Sequence, residues 1–385
     1  MNVIGVIAEY NPFHLGHLYQ INKIKEMYKD SIIIAIVSSS FTQRGDVSIL
    51  NKWDKARIAL DNGIDLVIEL PYFYAGQSSD IFAKGAVTIL NYLGIDTLVF
   101  GMESDDINNL KLMADIQLND KNYNNIVKEY LSNGYNYPTA LSKAIKDVLN
   151  LDIYLPNDLL ALSYIKQVKL INNNIDVIGI KRTNDYHSKE ITSNIVNASL
   201  IREQFKNNLD ISNYIPNYDT NKLYNVSVND FYPLLKYQIL NNINNLDKFL
   251  TVDEGIDNRI KKYIKNSNNW DELVNNIKTK RYTYNKINRM LMHILFNLTK
   301  EESKNIVIDY VRVLGFNSKG RSYLNKIKKN KDINIITNYK DGISKLFDLE
   351  NRVNNIYAII VDNKLIYEEY SHNPIIIDES VNNFV

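Results

Sequence analysis

The sequence contains no cysteine and only five histidines among its 385 residues. The lack of cysteine excludes disulfide bonds, thiolate zinc sites and cysteine nucleophiles at once. No apolar run approaches the roughly 18 residues that a membrane-spanning helix needs, and the first residues carry no basic segment of the kind that begins a secretion signal. We therefore expect a cytoplasmic protein that does not associate with membranes.

Neither sign of charge dominates the chain. The 45 Lys and Arg residues nearly balance 44 Asp and Glu residues, which leaves a formal net charge of +1. Nucleic-acid binding cannot be inferred from this total, although a local basic patch would still permit it. The length exceeds that of one ordinary domain and 45% of the residues are hydrophobic, so we predict two domains with substantial cores.

Strand and helix patterns alternate through about the first 200 residues. This alternation predicts an α/β fold with a Rossmann-like, doubly wound parallel sheet. Ligands of such sheets bind outside the carboxyl ends of the strands, so functional residues are expected directly after each strand. The predicted strands are 3–8, 32–37, 66–69, 97–100 and 177–180, and the segments that follow them are 9–17, 38–46, 69–80, 101–104 and 181–188.

Beyond about residue 215 the apolar residues recur at three- and four-residue spacing, which is typical of helices. Helices are predicted for 231–242, 270–276 and 284–298, whereas 357–370 is predicted as a β-hairpin that turns at Asp362-Asn363. A linker is expected within 205–224, where Asn, Asp and Pro accumulate. We therefore predict a first domain over residues 1–210 and a mainly helical C-terminal domain over residues 211–385.

The residues His14-Leu15-Gly16-His17 follow the first predicted strand and a turn, and they begin a helix predicted for 15–28. The amides at a helix N-terminus attract phosphate, and two imidazoles one turn apart add donors on the same face. Gly16 would let a ligand approach the backbone closely. This pattern predicts an ATP site. A surface or zinc-binding histidine pair is the alternative, weakened by the absence of cysteine and the scarcity of other histidines.

Three other places combine polar or small residues with a strand end or a helix start. Ser199 and Arg202, one turn apart, form either a second cradle for a polyphosphate or the start of an amphipathic helix. Gly101 closes a strand and permits close approach by an adenosine, although many strands end in glycine. Arg182 ends the last strand, where its cation either neutralises a phosphate or is solvated.

Residues 315–322 match the spacing of a P-loop, except that Arg321 stands at the position of the essential lysine. A planar guanidinium does not replace the compact ammonium that reaches between phosphates in that loop. We therefore predict a helix-loop-helix turn here rather than a second nucleotide site.

Basic residues cluster in the second domain, where residues 278–286 interleave lysine and arginine with tyrosine. Cations that hold a backbone beside rings that stack on unpaired bases are typical of a surface for single-stranded or loop RNA. A solvated helical face is an equally open interpretation in a chain so rich in lysine. The candidate RNA-binding residues are Lys280, Arg281, Tyr284, Arg289, Arg312 and Arg321.

The ordered set of motifs resembles the bacterial tRNA(Met) cytidine acetate ligases, which are HxGH nucleotidyltransferases. The matching blocks in the first domain are Gly-Val-Ile-Ala-Glu-Tyr-Asn-Pro-Phe-His-Leu-Gly-His at 5–17, Ser-Phe-Thr-Gln-Arg-Gly-Asp at 40–46, Lys-Trp-Asp-Lys-Ala-Arg at 52–57, Glu-Leu-Pro-Tyr at 69–72, Gln-Ser-Ser-Asp at 77–80 and Phe-Gly at 100–101. The matching blocks in the second domain are Arg-Tyr-Thr-Tyr at 281–284, Ile-Asn-Arg at 287–289 and Arg-Val-Leu-Gly-Phe at 312–316. HxGH alone is unspecific, whereas this set is specific and covers nearly the whole chain.

The resemblance implies a ligase that makes acetyl-adenylate and pyrophosphate from ATP and acetate. Such an enzyme then transfers acetyl to N4 of the wobble cytidine in the anticodon arm of elongator tRNA(Met). His14 and His17 would be the catalytic residues that stabilise the leaving pyrophosphate. A magnesium ion is expected with ATP, but the spacing of Glu9, Asp46 and Asp80 identifies none of them as a ligand. No stable protein partner is predicted.

The resemblance also implies which positions contact ATP, with Ser199 and Arg202 as the second phosphate cradle. For Asn157, a capping role at a helix start is the alternative. The implied ATP-contacting positions are Ile7, Ala8, Glu9, Tyr10, Asn11, Pro12, Phe13, His14, Leu15, Gly16, His17, Leu18, Tyr19, Gln20, Gly101, Asn157 and Arg182.

Two other functions stay open on the residues alone. A cofactor-type adenylyltransferase acting on a small phosphorylated substrate would use the HxGH motif in the same way, but it should lack an RNA-binding second domain. An RNA-binding module whose nucleotide fold only senses ATP is the non-enzyme alternative.

Overall fold

The computed structural model describes residues 1–153, 155–182, 194–329, 334–340 and 342–377. Within these ranges the strands are β1 Val3–Ala8, β2 Ile32–Ser38, β3 Leu66–Leu70, β4 Thr97–Met102, β5 Asp176–Lys181, β6 Tyr310–Asn317, β7 Asn334–Ile336 and β8 Ile375–Ile377. The helices are α1 Leu15–Met27, α2 Lys52–Asp61, α3 Tyr72–Ala75, α4 Ser79–Tyr92, α5 Ile107–Asn119, α6 Lys121–Ser132, α7 Tyr137–Leu149, α8 Pro156–Ile171, α9 Ala198–Lys206, α10 Tyr232–Asn241, α11 Ile256–Tyr263, α12 Trp270–Ile277, α13 Tyr284–Leu295, α14 Lys300–Ser303, α15 Ser318–Ile327, α16 Lys345–Val361 and α17 Lys364–Ser371.

The strands form one sheet in the order β5-β4-β1-β2-β3-β6, with β7 and β8 both paired to the far side of β6. The first five strands are parallel, which confirms the predicted sheet, and β6 joins β3 in the antiparallel sense. Parallel strands place their carboxyl ends at one edge. The segments that follow β1, β2, β3 and β4 therefore meet there, while most of the predicted segment 181–188 lies outside the described residues.

The central strands of the sheet are buried on both faces, as their nearly continuous apolar runs predict, whereas the edge strand β5 is partly exposed. Along β2, Ile33, Ala35 and Val37 belong to one hydrophobic core. The alternate residues Ile32, Ile34 and Ile36 belong to the other core. Helices cover both faces, so the molecule has the three layers of a doubly wound fold.

The predicted second domain is mainly helical, as expected, and α10, α12 and α13 confirm the three predicted helices. It also supplies β6, β7 and β8 to the sheet of the first domain. The cores of the two regions are therefore shared, and a division between residues 210 and 211 stays a prediction. No helix among the described residues is both long and apolar enough to cross a membrane.

Two predictions about the second region were wrong. The hairpin predicted at 357–370 is the end of α16 and most of α17, because Val353, Tyr357 and Ala358 are apolar at helical spacing and buried. The helix-loop-helix turn predicted at 315–322 is instead the junction of β6 with α15. There a Cβ on Gly320 would lie 2.0 Å from the carbonyl oxygen of Asp65, so this glycine serves close packing of helix on strand.

Candidate active site

The HxGH turn caps α1 with its own two histidines. His14 is the N-cap residue, and its Nδ1 accepts a hydrogen bond from the amide of Gly16 at 3.0 Å. Nδ1 of His17 accepts from the amide of His14 at 3.2 Å. In a neutral imidazole a nitrogen that accepts carries no proton, so Nε2 holds the proton in both rings. Each histidine therefore keeps one Nε2–H donor for a ligand.

Burial keeps both imidazoles neutral. It lowers the pKa of His14 to about 3, with Arg182 and Arg202 contributing in the same direction. The pKa of His17 is also well below its ordinary value, through burial first and then through His14 and Arg182. The two ring centroids are 3.8 Å apart. The pair thus donates hydrogen bonds from adjacent positions without carrying charge near neutral pH.

Arg202 lies directly against the HxGH turn. Its Nη1 donates to the carbonyl oxygen of Asn11 at 2.7 Å, and its Nη2 donates to Oγ of Ser199 at 3.3 Å. Asp46 is 3.6 Å from Nη2 and shares the guanidinium. Asn197, rather than Ser199, caps α9. Ser199 and Arg202 therefore form one bonded unit beside the histidines, at the start of a helix.

Arg182 and Gly101 are neighbours at the carboxyl ends of β5 and β4. A Cβ on Gly101 would lie 3.5 Å from Cγ of Arg182, an ordinary van der Waals distance, so the two residues are in direct contact. Nε of Arg182 is buried and, among the described residues, has no hydrogen-bond partner. Burial lowers the pKa of Arg182, while Glu103 opposes this shift. A buried cation with a free donor is a suitable contact for an anion.

Asn157 lies in the first turn of α8 and does not act as a capping residue. Its Nδ2 donates to Glu103 Oε1 at 2.6 Å, and its amide donates to Glu103 Oε2 at 3.3 Å. Asp158 accepts from the amide of Glu103 at 2.8 Å. These bonds fix the N-terminus of α8 to the carboxyl end of β4, next to Gly101.

The histidines, Arg182, Arg202, Ser199, Gly101 and Asn157 line one cavity of about 660 Å³, whereas Glu103 and Asp158 support it from outside the lining. Most of the predicted ATP-contacting residues face it, and so do Ser199 and Arg202. Pro12, Phe13, Leu15 and Leu18 do not line it, and Phe13 is fully buried in the core beneath the turn. The other predicted positions are brought together: Ile7, Ala8, Glu9, Tyr10, Asn11, His14, Gly16, His17, Tyr19, Gln20, Gly101, Asn157 and Arg182.

The loop between β2 and α2 forms a wall of this cavity, and it contains most of the segment 38–46 that the sequence predicts to be functional, although no residue of it was assigned a role in binding ATP. The amide of Gln43 donates to Glu9 at 2.6 Å, and its Nε2 donates to the carbonyl oxygen of Gln77 at 3.1 Å. Nη1 of Arg289 donates to the carbonyl oxygen of Gln43 at 3.1 Å. Gly45 has a φ of +76°, and a Cβ there would lie 2.7 Å from Cβ of Asn288. Helix α13 therefore packs against this loop and reaches the cavity.

The predicted RNA-binding residues occupy different places. Arg281 and Arg289 line the cavity, while Lys280 and Tyr284 are exposed nearby and Tyr284 donates to Asp271 at 2.9 Å. Arg321 lies on α15 above the ring of Phe316, away from the cavity.

Arg312 requires a correction. Its side chain is fully buried and bonded to Glu369, with Glu69 at 4.0 Å. A guanidinium enclosed by two carboxylates in the core cannot reach a phosphate backbone. The prediction that Arg312 contacts RNA is therefore wrong. This arginine belongs to a buried ion pair of the core.

The carboxylates considered for magnesium already have protein partners. Glu9 accepts from Gln43, Asp46 is near Arg202, and Asp80 pairs with Lys166 at 2.7 Å. Throughout the described ranges, no three His, Asp or Glu side chains converge as a metal site. Magnesium that arrives with a nucleotide needs few protein ligands, since it is held largely by phosphates and water.

A family model described as HIGH Nucleotidyl Transferase matches residues 1–372. A relative from Fusobacterium nucleatum named tRNA(Met) cytidine acetate ligase is 40% identical over 384 residues, covering 93% of this chain and 96% of the relative. The chain belongs to this ligase family. A relative of the same name from Clostridium perfringens strain SM101 is 36% identical over 400 residues, covering 98% of this chain and all of the relative.

Two solved structures of Thermotoga maritima TmcAL have the same fold. The apo form I matches with a TM-score of 0.91 at 27% identity, and form II bound with alpha-thio ATP matches with 0.86 at 28% identity. Both matches cover 98% of this chain and 100% of the other. The family resemblance and the Rossmann-like α/β class predicted from the sequence are therefore confirmed.

Proposed function

We propose that this chain is an ATP-dependent ligase that acetylates N4 of the wobble cytidine of elongator tRNA(Met), giving N4-acetylcytidine. The observation that carries the proposal is the pair of neutral Nε2–H donors at the start of α1, beside Arg182 and Arg202. The names of the relatives and the TmcAL structure bound with alpha-thio ATP support the same activity. Such an enzyme works where tRNA is found, which places it in the cytoplasm.

The first step is the activation of acetate. An acetate oxygen attacks the α-phosphorus of ATP, the bond to the bridging oxygen of the β-phosphate breaks, and acetyl-adenylate and pyrophosphate result. Negative charge increases on the phosphate oxygens as pyrophosphate leaves. His14, His17 and the α1 amides are fixed donors that stabilise this charge, and Arg182 and Arg202 neutralise it.

The second step is acyl transfer. N4 of cytidine attacks the acetyl carbonyl carbon, AMP leaves with the electron pair of the anhydride bond, and the amine loses one proton. Because the lone pair of N4 is delocalised into the ring, an activated acyl donor is required. The wobble base is in a single-stranded loop and can be extruded at low cost. The cationic start of α13 in the same cavity supports an RNA substrate rather than a small phosphorylated one.

The decisive test is nucleoside mass spectrometry of unmodified tRNA(Met) incubated with the protein, ATP and acetate. N4-acetylcytidine is expected for the wild type. For His17→Ala its formation should fall about 10²–10³-fold, as when one donor to a developing oxyanion is lost. An unchanged yield in His17→Ala would show that the nucleotide site takes no part in the chemistry.

A parallel incubation with ATP and nicotinate or pantetheine phosphates, without tRNA, tests the cofactor-type alternative. Formation of a dinucleotide there, with no acetylated RNA in the first assay, would replace the proposed function.

A further inference from the structure

The cavity is far more cationic than the chain as a whole. Among the described residues, eight Lys or Arg side chains line it against the three carboxylates of Glu9, Asp46 and Asp80. The N-termini of six helices also face it: α1, α4, α7, α8, α9 and α13. Helix N-termini and clustered cations both favour anions. The ends of α1, α8 and α9 belong to the nucleotide site already described, which leaves those of α4, α7 and α13; of these three, the end of α13 has the most cations beside it in the cavity.

Three cations gather at the start of α13. Arg281, Lys286 and Arg289 all line the cavity. Arg281 is exposed, whereas Lys286 and Arg289 are partly buried, so the charges run from the mouth of the cavity inwards. Lys286 lies 3.8 Å above the ring of Tyr282. Within the part of the chain that the structure describes, none of the three forms an ion pair.

These cations are held close together at a free-energy cost. The pKa of Lys286 is lowered, first by burial and also by Arg289 and Arg281, although Glu254 and Asp253 oppose the shift. Burial lowers the pKa of Arg289 to about 10. Charges placed together without counter-ions destabilise a fold unless a ligand supplies the opposite charge.

We propose that Arg281, Lys286 and Arg289 bind a phosphodiester beside the acceptor cytidine, inside the cavity that also binds ATP. This rests on the function proposed above and assigns the RNA to a particular wall of that site. A phosphodiester offers several acceptor oxygens, and the adjoining RNA backbone continues outwards past Arg281. Acetate and a single phosphodiester each carry one negative charge, but only an RNA backbone continues with further phosphates that can match the other two cations.

The test compares two double variants that each lose two positive charges. Arg281→Gln/Lys286→Gln removes charges from the cavity wall. Lys262→Gln/Lys265→Gln removes two exposed lysines of the same region that do not line the cavity. The readouts are kcat/KM for a synthetic anticodon stem-loop and acetate-dependent exchange of pyrophosphate into ATP, which needs no RNA.

For the cavity variant, kcat/KM for RNA should fall about ten- to a hundredfold, the size expected for lost hydrogen bonds to a charged group. Pyrophosphate exchange should be unchanged, and the control variant should resemble the wild type. A neutral methylphosphonate next to the target cytidine should weaken wild-type activity similarly and cost the cavity variant nothing further. The dependence of RNA affinity on salt should also become shallower by about one unit of slope per lost contact.

Equal losses in the two double variants would overturn the proposal, because they would indicate a diffuse surface effect. Full tolerance of methylphosphonates by the wild type would overturn it as well. A raised KM for acetate with an unchanged KM for RNA would identify the carboxylate as the occupant instead. If the proposed function itself fails, the wild type acetylates no RNA at all, which none of these outcomes resembles.

Discussion

Two groups of charges in this molecule, one in the core and one in the cavity, have opposite chemistry. In the core, Lys52 on α2, Glu69 on β3, Arg312 on β6 and Glu369 on α17 form an ion cluster. Lys52 is 2.7 Å from each of the two carboxylates, and Arg312 is bonded to Glu369. Two cations meet two anions there. Among the described residues that line the cavity, by contrast, eight cations meet only three carboxylates.

The difference separates a structural network from a binding site. Burial alone would raise the pKa of Glu369, yet Lys52 and Arg312 outweigh it and the pKa is lowered. For Arg182, burial prevails over Glu103 and the pKa is lowered, so the charged form is disfavoured. The core cluster supplies its own counter-ions and joins the first region to the second. The cavity has too few carboxylates for its cations, so a polyanionic ligand would supply the missing negative charge.

The largest effect is expected from breaking the core cluster. Glu369→Gln leaves two buried cations with one carboxylate, and removing one partner of a buried pair costs about 3–5 kcal/mol. The free energy of unfolding, measured by urea titration, should fall by that amount. Glu368→Gln, which neutralises the adjacent residue and breaks no ion pair in the described chain, is the control. A loss below about 1 kcal/mol would indicate that solvent screens the cluster.

Removing a cation from the cavity, unlike breaking the core cluster, should not destabilise the fold. Arg182→Met keeps an apolar stem and removes a charge to which no carboxylate of the described residues is bonded, so the free energy of unfolding should stay the same or rise. The KM for ATP should increase about tenfold or more, the usual effect of a lost charged hydrogen bond. Arg57→Met, on the exposed face of α2, should change neither quantity. Destabilisation as large as that of Glu369→Gln would remove the distinction between the two groups.

Much of the nucleotide half of the molecule could be predicted from the sequence, because its information is local. A strand, a turn and His14 at a helix start follow one another within 17 residues, and the structure matches β1 and α1 closely. The carboxyl ends of parallel strands then bring Gly101 and Arg182 together by topology alone.

The second region was harder to predict because its residues act over long separations. The carboxylates that face Arg312, those of Glu69 and Glu369, are far away in sequence. An arginine of a buried ion pair therefore could not be distinguished in the sequence from an arginine of a basic surface. Arg289 reaches Gln43 across 246 positions, and no local pattern indicates that contact. The run at 357–370 has apolar residues that suit a strand, and only packing against the core selects the helix.

The smallest effect near neutral pH is the titration of His14, which also distinguishes the two groups. An unfolded His14 takes up a proton as pH falls through its ordinary pKa of 6.5, whereas the folded residue resists until about 3. Between these values the unfolded state binds more protons, so stability falls as pH decreases, by up to about 1.4 kcal/mol per pH unit for this group. Above pH 7 it contributes no slope.

The variant that isolates this effect is His14→Asn, because an asparagine at the N-cap can still accept from the amide of Gly16. The free energy of unfolding of both proteins is measured by urea titration between about pH 4 and 8, a range that covers the histidine titration. Above pH 7 the two curves of stability against pH should be parallel. Below pH 6.5 the wild type should lose stability more steeply than the variant. Parallel curves throughout would mean that water reaches His14 and that the cavity does not hold it neutral. A steeper loss in the wild type alone would show that keeping His14 uncharged destabilises the ligand-free protein below pH 6.5. The core cluster loses stability in a lower range of pH, where Glu369 takes up a proton.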